Sequence, residues 1–453
     1  MSRQFTGFFP LRWTLIAIAV ALAGGVVRGA DDVAPPPLRI SENHRYLIDA
    51  QGKPFFLQGD AAWSLIANTT REETIRYLDD RRAKGFTAIV VNLLEHKFAK
   101  DPPRDLYGEA PFADVNDWTT TNEKYFAHAD WAIREAGKRG ITVFLFPVYL
   151  GYEGRDEGFY DEVLANGPEK CLAYGRFVGQ RYRDFDNIIW VMGGDRDPGT
   201  AREDVDLIAY GMREFDRRHL YTAHCHSDSN IAAQFPTSTW IDLNSTYTYN
   251  IVHLALTWNY QRTPVRPNFL LETEYEGPTQ FATELQVRRA GYWSILCGGF
   301  GYVMGNFPRW LFDPGWPATL EAPSSVQMTH WGDLFRSRRW WELVPDADHK
   351  VVTDGLGEQW GLDTTVAAST PDGKLVIAYM TAARTITVDL AKMSAAEAKA
   401  WWYNPRLGEA TSGGAVKTGA PAKFTPPGEG DWALVLDDAS SNLAAPGRDA
   451  ATR

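Results

Sequence analysis

The 453-residue chain has few cysteines and no excess of positive charge. Its three cysteines, Cys171, Cys225 and Cys297, form no Cys-x-x-Cys pair, so we expect neither a disulfide framework nor a structural zinc site. The chain has 46 Lys and Arg residues against 57 Asp and Glu residues, which gives a net charge of −11. This negative charge argues against nucleic acid and anionic membranes as partners.

Long hydrophobic runs are also lacking, apart from one near the N-terminus. Arg3 and Arg12 precede an apolar run at 13–27, and small residues up to Ala30 follow it. The run is short for a membrane span, and its flanks are typical of a secretory signal. We therefore predict a signal peptide over 1–30, a secreted or periplasmic protein, and no stable membrane insertion after cleavage. An uncleaved membrane anchor is the alternative.

No glycine-rich phosphate-binding turn follows the first predicted strand, which argues against a doubly wound nucleotide-binding sheet. The chain instead alternates apolar runs with amphipathic stretches. Eight apolar runs indicate strands, at 55–60, 88–94, 142–150, 188–195, 220–226, 241–247, 268–276 and 300–306. Most of them are continuously apolar, as expected for parallel strands that are buried on both faces.

The stretches between these runs have the period of amphipathic helices. They cover 71–84, 122–139, 168–183, 202–217 and 279–297. Thr70 and Glu73 form a capping-box pattern ahead of the first helix. Eight strands alternating with helices predict an α/β fold, a (β/α)8 TIM barrel over residues 31–345 that begins with a β-hairpin whose turn is at 51–53.

The character of the sequence changes after about residue 345. Helical periodicity nearly stops, and short alternating runs follow at 374–379, 385–390, 400–403 and 432–436. These runs predict a small antiparallel β-sandwich domain over 346–440. Residues 441–453 are low in apolar content and are expected to form a flexible tail.

Polar residues gather where the predicted strands end, which is where a barrel builds its active site. The strand-end residues are Asp60, Asn92, Tyr149, Asp195, His224, His226, Asn244, Glu272 and Asn306. Because loops are solvated, a polar residue at the end of one strand does not by itself indicate a functional site. Their occurrence on successive strands favours one shared site.

Two of these strand ends hold carboxylates, which cleavage of a glycosidic bond requires in pairs. One carboxyl donates a proton to the leaving oxygen, and the other attacks the anomeric carbon or activates water. Asp195 follows strand four and Glu272 ends strand seven. Alternation along a strand places Glu274 and Glu276 on the same face as Glu272, so the pattern alone does not choose among the three.

The layout resembles that of retaining glycosidases of the apiosidase-like family (glycoside hydrolase family 140). The resemblance rests on the segment 51–63 (QGKPFFLQGDAAW), on Gly193-Gly194-Asp195, and on Glu272-x-x-Tyr275-Glu276. It implies that Asp195 is the acid/base and Glu272 the nucleophile, with no cofactor. It also implies a plant or algal polysaccharide or glycan side chain as substrate, such as a branched pentose or another furanoside. The Gly-Glu-Pro usual on strand seven is replaced here by Leu271-Glu272-Thr273.

Further residues near the strand ends are predicted to bind the poly- or oligosaccharide. They are Asp60, Trp63, Asn92, Tyr149, His224, His226, Asn244, Tyr247, Asn306 and Trp310, and Tyr152 and Tyr249 are additional candidates. Burial in the barrel wall is the alternative for the tyrosines.

Two other functions remain open. A non-catalytic carbohydrate-binding barrel would bind sugar without turnover. A metal-dependent hydrolase would use His224 and His226, because residues two apart on a strand face the same side and could ligate zinc together. Such enzymes require further ligands on other strand ends, so we predict no metal.

Overall fold

A computed structural model describes residues 37–153, 156–278 and 281–447. The predicted signal peptide lies outside these residues. The described chain opens with a three-stranded antiparallel sheet of β1 (Leu38–Ile40), β2 (Leu47–Asp49) and β3 (Pro54–Phe55). The Asp49 side chain accepts hydrogen bonds from the backbone amides of Gln51 and Lys53, which holds the predicted hairpin turn between β2 and β3. Among the described residues, no helix is long and apolar enough to cross a membrane.

Eight parallel strands form the central sheet, and their side chains are buried. They are β4 (Leu57–Ala61), β5 (Ala88–Asn92), β6 (Thr142–Phe146), β7 (Ile188–Gly193), β8 (Tyr221–His224), β9 (Asn244–Tyr247), β10 (Asn268–Glu272) and β11 (Gly301–Met304). Their order, β8-β7-β6-β5-β4-β11-β10-β9, is that of a barrel opened between β8 and β9. The predicted TIM barrel is confirmed. Several predicted strands were too long at their carboxyl ends, because apolar residues continue into buried loops.

The barrel closes between β8 and β9 without a regular backbone ladder. The backbone amide of Leu243 donates to the Tyr221 carbonyl at 3.1 Å. The hydroxyl of Thr222 donates to the Leu243 carbonyl at 3.1 Å, and that of Ser245 donates to the Ala223 carbonyl. Side-chain hydroxyls therefore satisfy carbonyls that a sheet would pair with backbone amides.

The helices surround the barrel. They are α1 (Leu65–Asn68), α2 (Arg71–Ala83), α3 (Glu123–Lys138), α4 (Tyr160–Tyr182), α5 (Arg202–Phe215), α6 (Ile231–Gln234), α7 (Val252–Tyr260), α8 (Glu284–Leu296) and α9 (Pro323–Arg336), with short 3-10 helices at 199–201, 309–311, 316–321, 340–342 and 439–441. Both hydrogen bonds of the predicted capping box form at Thr70 and Glu73. Helix α4 starts before the predicted residue 168, because an earlier helical segment joins it across a kink at Gly167.

The C-terminal region consists of antiparallel sheets, as predicted. Its strands are β12 (Val344–Pro345), β13 (Val352–Asp354), β14 (Thr365–Ser369), β15 (Leu375–Met380), β16 (Ile386–Asp389), β17 (Glu397–Asn404), β18 (Glu409–Lys417), β19 (Pro421–Phe424) and β20 (Trp432–Asp438). One sheet has the order β12-β14-β15-β20-β17-β18 and the other β13-β16-β19. Trp402 packs in the core between these sheets, whereas Trp401 packs in the apolar cluster that continues into the barrel.

Buried charge pairs join the C-terminal sheets to the barrel helices. Arg288 on α8 donates to both carboxyl oxygens of Asp431, at 2.7 and 2.8 Å, and the Tyr379 hydroxyl donates to the same carboxylate at 2.9 Å. The rings of Tyr292 and Tyr379 stack beside this pair, with centroids 4.3 Å apart. Such planar, two-point contacts fix orientation as well as distance.

Part of the predicted flexible tail is packed. Arg338 donates to the Ala444 carbonyl at 2.8 Å, and the Gly447 amide donates to the Ser337 hydroxyl at 3.1 Å. Arg338 also forms a buried pair with Asp437. Hydrogen bonds of backbone groups thus anchor Ala444 and Gly447, within the predicted tail, despite its low apolar content. Residues 448–453 lie outside the described part of the chain.

The Arg288–Asp431 pair gives a stability prediction. Replacing Arg288 by Met leaves the Asp431 carboxylate buried without its cation, so unfolding should become easier by about 3–5 kcal/mol. Urea unfolding measures the change. The matched control is Arg176→Met, whose pair with Glu214 is about half exposed and should change stability far less, because solvent screens exposed ion pairs. Equal effects of the two substitutions would contradict a structural role for the buried pair.

Candidate active site

A cavity of about 650 Å³ opens at the carboxyl ends of the barrel strands. This volume suits a small organic ligand. Its lining comprises Trp63, Asn92, Phe98, Tyr149, Tyr152, Glu157, Asp195, Tyr247, Tyr249, Glu272, Glu274, Tyr275, Phe281, Ala282 and Trp310. Aromatic rings dominate this wall, and the charged side chains among these described residues are all acidic. The cavity is therefore suited to a ligand with apolar faces and without negative charge.

Three titratable groups meet at the base of the cavity. Glu272 ends β10, His224 ends β8, and Asp195 comes two residues after β7. One oxygen of each carboxyl group and one imidazole nitrogen of His224 lie within 4.8 Å of one another. The fold thus brings together two carboxyl groups that are far apart in the sequence. A donor set of two carboxylates and one imidazole could also hold a divalent metal ion.

His224 is fully buried and has acceptors at both ring nitrogens. Its Nδ1 lies 2.9 Å from the Gly194 carbonyl, which can only accept a hydrogen bond. Its Nε2 lies 2.9 Å from Oε2 of Glu272 and 3.4 Å from Oδ1 of Asp195. Burial alone would lower the pKa of His224, but the hydrogen bond to Glu272 and the charges of both carboxyl groups outweigh it and raise the pKa. An ionised Glu272 therefore favours an imidazolium at His224.

The Asp195 carboxyl group holds its proton to an unusually high pH. Burial, followed by repulsion from the charge of Glu272, raises its pKa to about 7. His224 and a hydrogen bond from the Tyr149 hydroxyl, 2.9 Å from Oδ2, oppose that rise. Glu272 is bound differently, because its Oε1 accepts a hydrogen bond from the Tyr249 hydroxyl at 3.2 Å and its Oε2 lies against His224. The two carboxyl groups thus have distinct environments.

Aromatic side chains build the wall above these groups. The indole N–H of Trp63 donates to the Tyr275 hydroxyl at 2.8 Å, and the Trp63 ring lies 5.7 Å from that of Tyr149. The ring centroids of Trp310 and Tyr275 lie 6.3 Å apart, and those of Tyr247 and His224 lie 4.5 Å apart. These contacts hold the rings in fixed orientations, which suits stacking against a flat apolar ligand face.

The turn after β7 depends on its two glycines. Gly193 has a φ of +95°, and a Cβ there would lie 2.3 Å from the His224 carbonyl oxygen. A Cβ at Gly194 would lie 2.6 Å from the Leu150 amide nitrogen. Larger residues at either position would clash with the neighbouring backbone. The glycines therefore allow the chain to turn closely against β8 and bring Asp195 beside His224.

A protein-family model described as "Apiosidase-like, catalytic domain" matches residues 41–342 of the chain. The chain belongs to the apiosidase-like family. A second family model, described as "Putative collagen-binding domain of a collagenase", matches residues 344–437, which form the antiparallel sheets. None of the curated proteins compared with the chain matches it.

Solved structures similar to this apiosidase-like protein are glycoside hydrolases. One, described as a glycoside hydrolase, has 25% identity and a TM-score of 0.79, over 89% of this chain and 97% of its own. Another, a glycoside hydrolase family 5 protein from Bacteroides vulgatus, has 25% identity and a TM-score of 0.80, over 90% of this chain and 95% of its own. The apiosidase-like protein is therefore a glycoside hydrolase with a TIM-barrel fold.

The structure brings several of the predicted site residues of this apiosidase-like protein to the cavity. Those that line it are Trp63, Asn92, Tyr149, Asp195, Tyr247, Glu272 and Trp310, together with the additional candidates Tyr152 and Tyr249. His224 lies directly beneath, in contact with both carboxyl groups. Their roles toward a sugar stay predictions.

Two predicted sugar-binding residues lie elsewhere. Asp60 is fully buried and binds Arg81, Arg309 and the Tyr77 hydroxyl, so its carboxylate ties the barrel to the surrounding elements instead of facing the cavity. Asn306 is buried and donates to Glu276 at 2.7 Å. Asp60 lies within β4 and Asn306 follows the end of β11, and both side chains are engaged by protein groups. Contrary to expectation neither residue lines the cavity, and a role of either toward a sugar stays a prediction.

Two more of the predicted residues do not line the cavity, because the strands have bounds that differ from the predicted ones. Asn244 begins β9 and therefore lies at the end of the barrel opposite the cavity. His226 lies beyond the end of β8, where its ring approaches Tyr152 and its Nδ1 approaches the Ser227 carbonyl. The alternative metal site relied on alternation to align His224 with His226, and β8 ends at His224, so that alternation does not extend to His226.

The three glutamates at and after the end of β10 occupy different environments. Strand β10 ends at Glu272, so alternation does not extend to the other two. Glu274 lines the cavity and accepts a hydrogen bond from Gln286 at 2.7 Å, whereas Glu276 accepts from the Ser324 amide and hydroxyl outside the cavity. Among the three, Glu272 is the one that contacts His224.

Sequence reasoning missed some residues of the cavity. Tyr275 occurs in a segment that resembles the family, but no role was assigned to it. Phe98, Glu157 and Phe281 belong to long loops, where no strand end marks them. Loop residues reach the cavity through tertiary packing, which periodicity does not reveal.

The site predicts a high titration midpoint for Asp195. In protein with 13C-labelled aspartate carboxyls, the resonance absent from Asp195→Asn should titrate at about pH 7. Glu272→Gln should lower this midpoint by removing a neighbouring charge, and Tyr149→Phe should raise it by removing a donor to the ionised form. A midpoint near the ordinary aspartate value of about 3.9 would contradict the coupling.

Proposed function

We propose that this apiosidase-like protein hydrolyses glycosidic bonds by double displacement, with Glu272 as nucleophile and Asp195 as general acid and base. The observation that carries the proposal is the approach of the two carboxyl groups, with one oxygen of each within 4.8 Å of the other. Retaining glycosidases separate these groups by about 5–5.5 Å, whereas inverting enzymes leave about 6.5–9.5 Å for a water molecule. The short separation favours retention.

In the first step, Glu272 attacks the anomeric carbon and the leaving oxygen takes the proton of Asp195. The raised pKa of Asp195 supports this role, because the donor must carry its proton near neutral pH. The resulting ester at Glu272 is neutral, so the repulsion that held the proton on Asp195 is lost. The Asp195 carboxylate then accepts a proton from water, which attacks the anomeric carbon and releases Glu272.

Two neighbours support the nucleophilic role of Glu272. His224 Nε2 lies 2.9 Å from one of its oxygens, and the Tyr249 hydroxyl donates to the other at 3.2 Å. Both contacts hold the carboxyl oxygens of Glu272 in a fixed orientation. Attack on the anomeric carbon requires such a positioned carboxylate.

For the substrate, we propose a neutral sugar in a plant or algal polysaccharide or glycan side chain, such as a branched pentose or another furanoside. The aromatic wall offers apolar faces for sugar C–H groups. No basic side chain occurs among the described residues that line the cavity, and several acids do. An anionic sugar would be repelled by that wall.

We expect Glu272→Gln and Asp195→Asn each to lower kcat/KM by about a hundredfold to ten-thousandfold, because each removes a group that the reaction requires. Turnover is measured on a panel of pectic and hemicellulosic glycans, and circular dichroism checks folding. The control is Glu169→Gln on the exposed face of α4, which should keep full activity. Near-normal activity of Glu272→Gln would transfer the nucleophilic role to another group, with Glu274 the first candidate.

Product stereochemistry tests the same proposal independently. Proton NMR of the first product from the wild-type protein should show the anomeric configuration of the substrate. Appearance of the opposite configuration would contradict double displacement, even if both variants were inactive.

We further propose that the enzyme acts outside the cytoplasm after removal of residues 1–30. The apolar run at 13–27 with Arg3 and Arg12 before it supports export. N-terminal sequencing of the exported protein should find a start just after Ala30. Recovery of the protein with its original N-terminus in the membrane fraction would favour the uncleaved anchor instead.

A further inference from the structure

Tyr275 lines the cavity but has no part in the mechanism proposed above. The indole N–H of Trp63 donates to its hydroxyl oxygen at 2.8 Å. An indole nitrogen can only donate, so the Tyr275 hydroxyl is the acceptor in this bond and keeps its own hydrogen for another partner. Among the described residues, none offers an acceptor within hydrogen-bond distance of that hydroxyl. Its hydrogen is thus available to a ligand in the cavity.

The Tyr275 hydroxyl also keeps its proton. Burial, followed by the charge of Glu272, raises the pKa of Tyr275 well above its ordinary value. A tyrosine titrates near pH 10 even when it is unperturbed. Tyr275 is therefore a neutral donor, and not an anion, at any pH at which Asp195 can act as an acid.

The backbone that carries Tyr275 is fixed on both sides. The Tyr275 carbonyl accepts a hydrogen bond from the Ala282 amide at 2.8 Å, and the Glu276 amide donates to the Gly305 carbonyl at 3.0 Å. A Cβ at Gly305 would lie 2.2 Å from the Tyr275 ring, so the ring packs directly against the backbone after β11. The hydroxyl therefore has a defined position in the cavity wall.

The buried Glu276 carboxylate strengthens this attachment. It accepts hydrogen bonds from the Asn306 side chain at 2.7 Å and from the Ser324 amide at 3.2 Å. These contacts join the segment after β10 to the segment after β11 and to the start of α9. Tyr275 is thereby held in place before a ligand binds, which lowers the entropic cost of binding.

Other donors of the cavity wall are already engaged. The hydroxyls of Tyr149 and Tyr249 donate to the two carboxyl groups at the base of the cavity, at 2.9 and 3.2 Å. The side-chain amide of Asn92 donates to a buried glutamate at 3.4 Å, and the Trp63 indole donates to Tyr275. A sugar presents many oxygen atoms that can accept, so a rigid donor without a protein acceptor is suited to contact one of them.

We propose that Tyr275 donates a hydrogen bond to a hydroxyl oxygen of the sugar that reacts in the cavity, and that it thereby determines which sugars are accepted. The proposal rests on the glycosidase function given above. A site built to pair with a substrate hydroxyl rejects analogues that lack it, because its own polar group is then left buried without a partner. Tyr275 would thus discriminate among neutral sugars that the aromatic wall alone binds equally.

The first test compares Tyr275→Phe with Tyr107→Phe in the full-length protein, on the member of a panel of aryl pentosides and hexosides that the wild type cleaves fastest. Tyr275→Phe should lower kcat/KM about ten- to hundredfold, since it removes the donor and keeps the ring. Tyr107 is the matched control, because it is 50% exposed, lies outside the cavity lining, and also accepts an N–H, from the Arg71 amide at 3.1 Å. It should leave kcat/KM unchanged. Thermal unfolding checks both variants, and near-normal kcat/KM for a folded Tyr275→Phe overturns the proposal.

Deoxy analogues of that glycoside, each lacking one hydroxyl group, separate a sugar contact from mere support of Trp63. With the wild type, removal of the partner hydroxyl should cost about as much as Tyr275→Phe does. With Tyr275→Phe, the same analogue should lose far less relative to the parent glycoside, because the contact is already absent. Comparison of the two proteins cancels the intrinsic reactivity of each analogue. If every analogue loses the same factor with both proteins, Tyr275 contacts none of these hydroxyls and the proposal is wrong.

A binding measurement separates this proposal from that of the catalytic mechanism. Asp195→Asn and Asp195→Asn with Tyr275→Phe are titrated calorimetrically with the aryl glycosides of the panel. Weaker binding by the double variant supports the contact even if no glycoside is cleaved, a result that would count against the catalytic function alone. Equal binding of every glycoside by the two proteins contradicts the contact, and so does an absence of binding by both.

Discussion

Two carboxyl groups whose oxygens lie within 4.8 Å of each other cannot both be ionised in a buried site without a large free-energy cost, and this constraint organises the cavity. The protein meets it by holding a proton on Asp195 and by placing the buried His224 against both groups. Neither nitrogen of His224 is free to move, because the Gly194 carbonyl holds the other side of the ring. The charge state of the base of the cavity is thereby tied to the geometry of three strand ends.

The barrel supplies that geometry through strand register. Gly193 at the end of β7 pairs with His224 at the end of β8, which sets the distance from Asp195 to the imidazole. On the other side, Glu272 pairs with Tyr247 across an irregularity in the ladder between β10 and β9. A change of one residue in either register would point one of these side chains away from the others. The site therefore depends on backbone pairing as much as on its own contacts.

Much of this arrangement could be predicted from the sequence, and the errors have physical causes. All eight barrel strands were identified because parallel strands buried on both faces leave long apolar runs. Their ends were not, since apolar residues such as Val148 and Leu150 continue into buried loops. Asn244 was placed at the wrong end of its strand because the buried apolar residues before it, Ile241 and Leu243, lengthened the predicted strand at its amino end.

Asp60 shows a different limit of sequence reasoning. A polar residue near a strand end can contact a ligand, or it can stabilise the fold by binding other side chains. Which of the two occurs depends on residues that are distant in the sequence. Arg81 and Arg309 supply those partners for Asp60, and both are fully buried. No local sequence pattern indicates that these two arginines bind the same carboxylate. Asp195 and Glu272 were identified because the chemistry of glycosidic cleavage, aided by the family resemblance, specifies a pair of acids.

The C-terminal domain is attached to the barrel by contacts that fix its orientation. Relative motion of two domains is expected unless their interface is large and well packed. Here Arg288 and Arg338 each bind a buried aspartate of the sheet domain through two oxygens, and the rings of Tyr292 and Tyr379 stack beside the first of these pairs. Because each two-point contact constrains orientation as well as distance, the sheet domain keeps a fixed orientation relative to α8 and to the segment after α9.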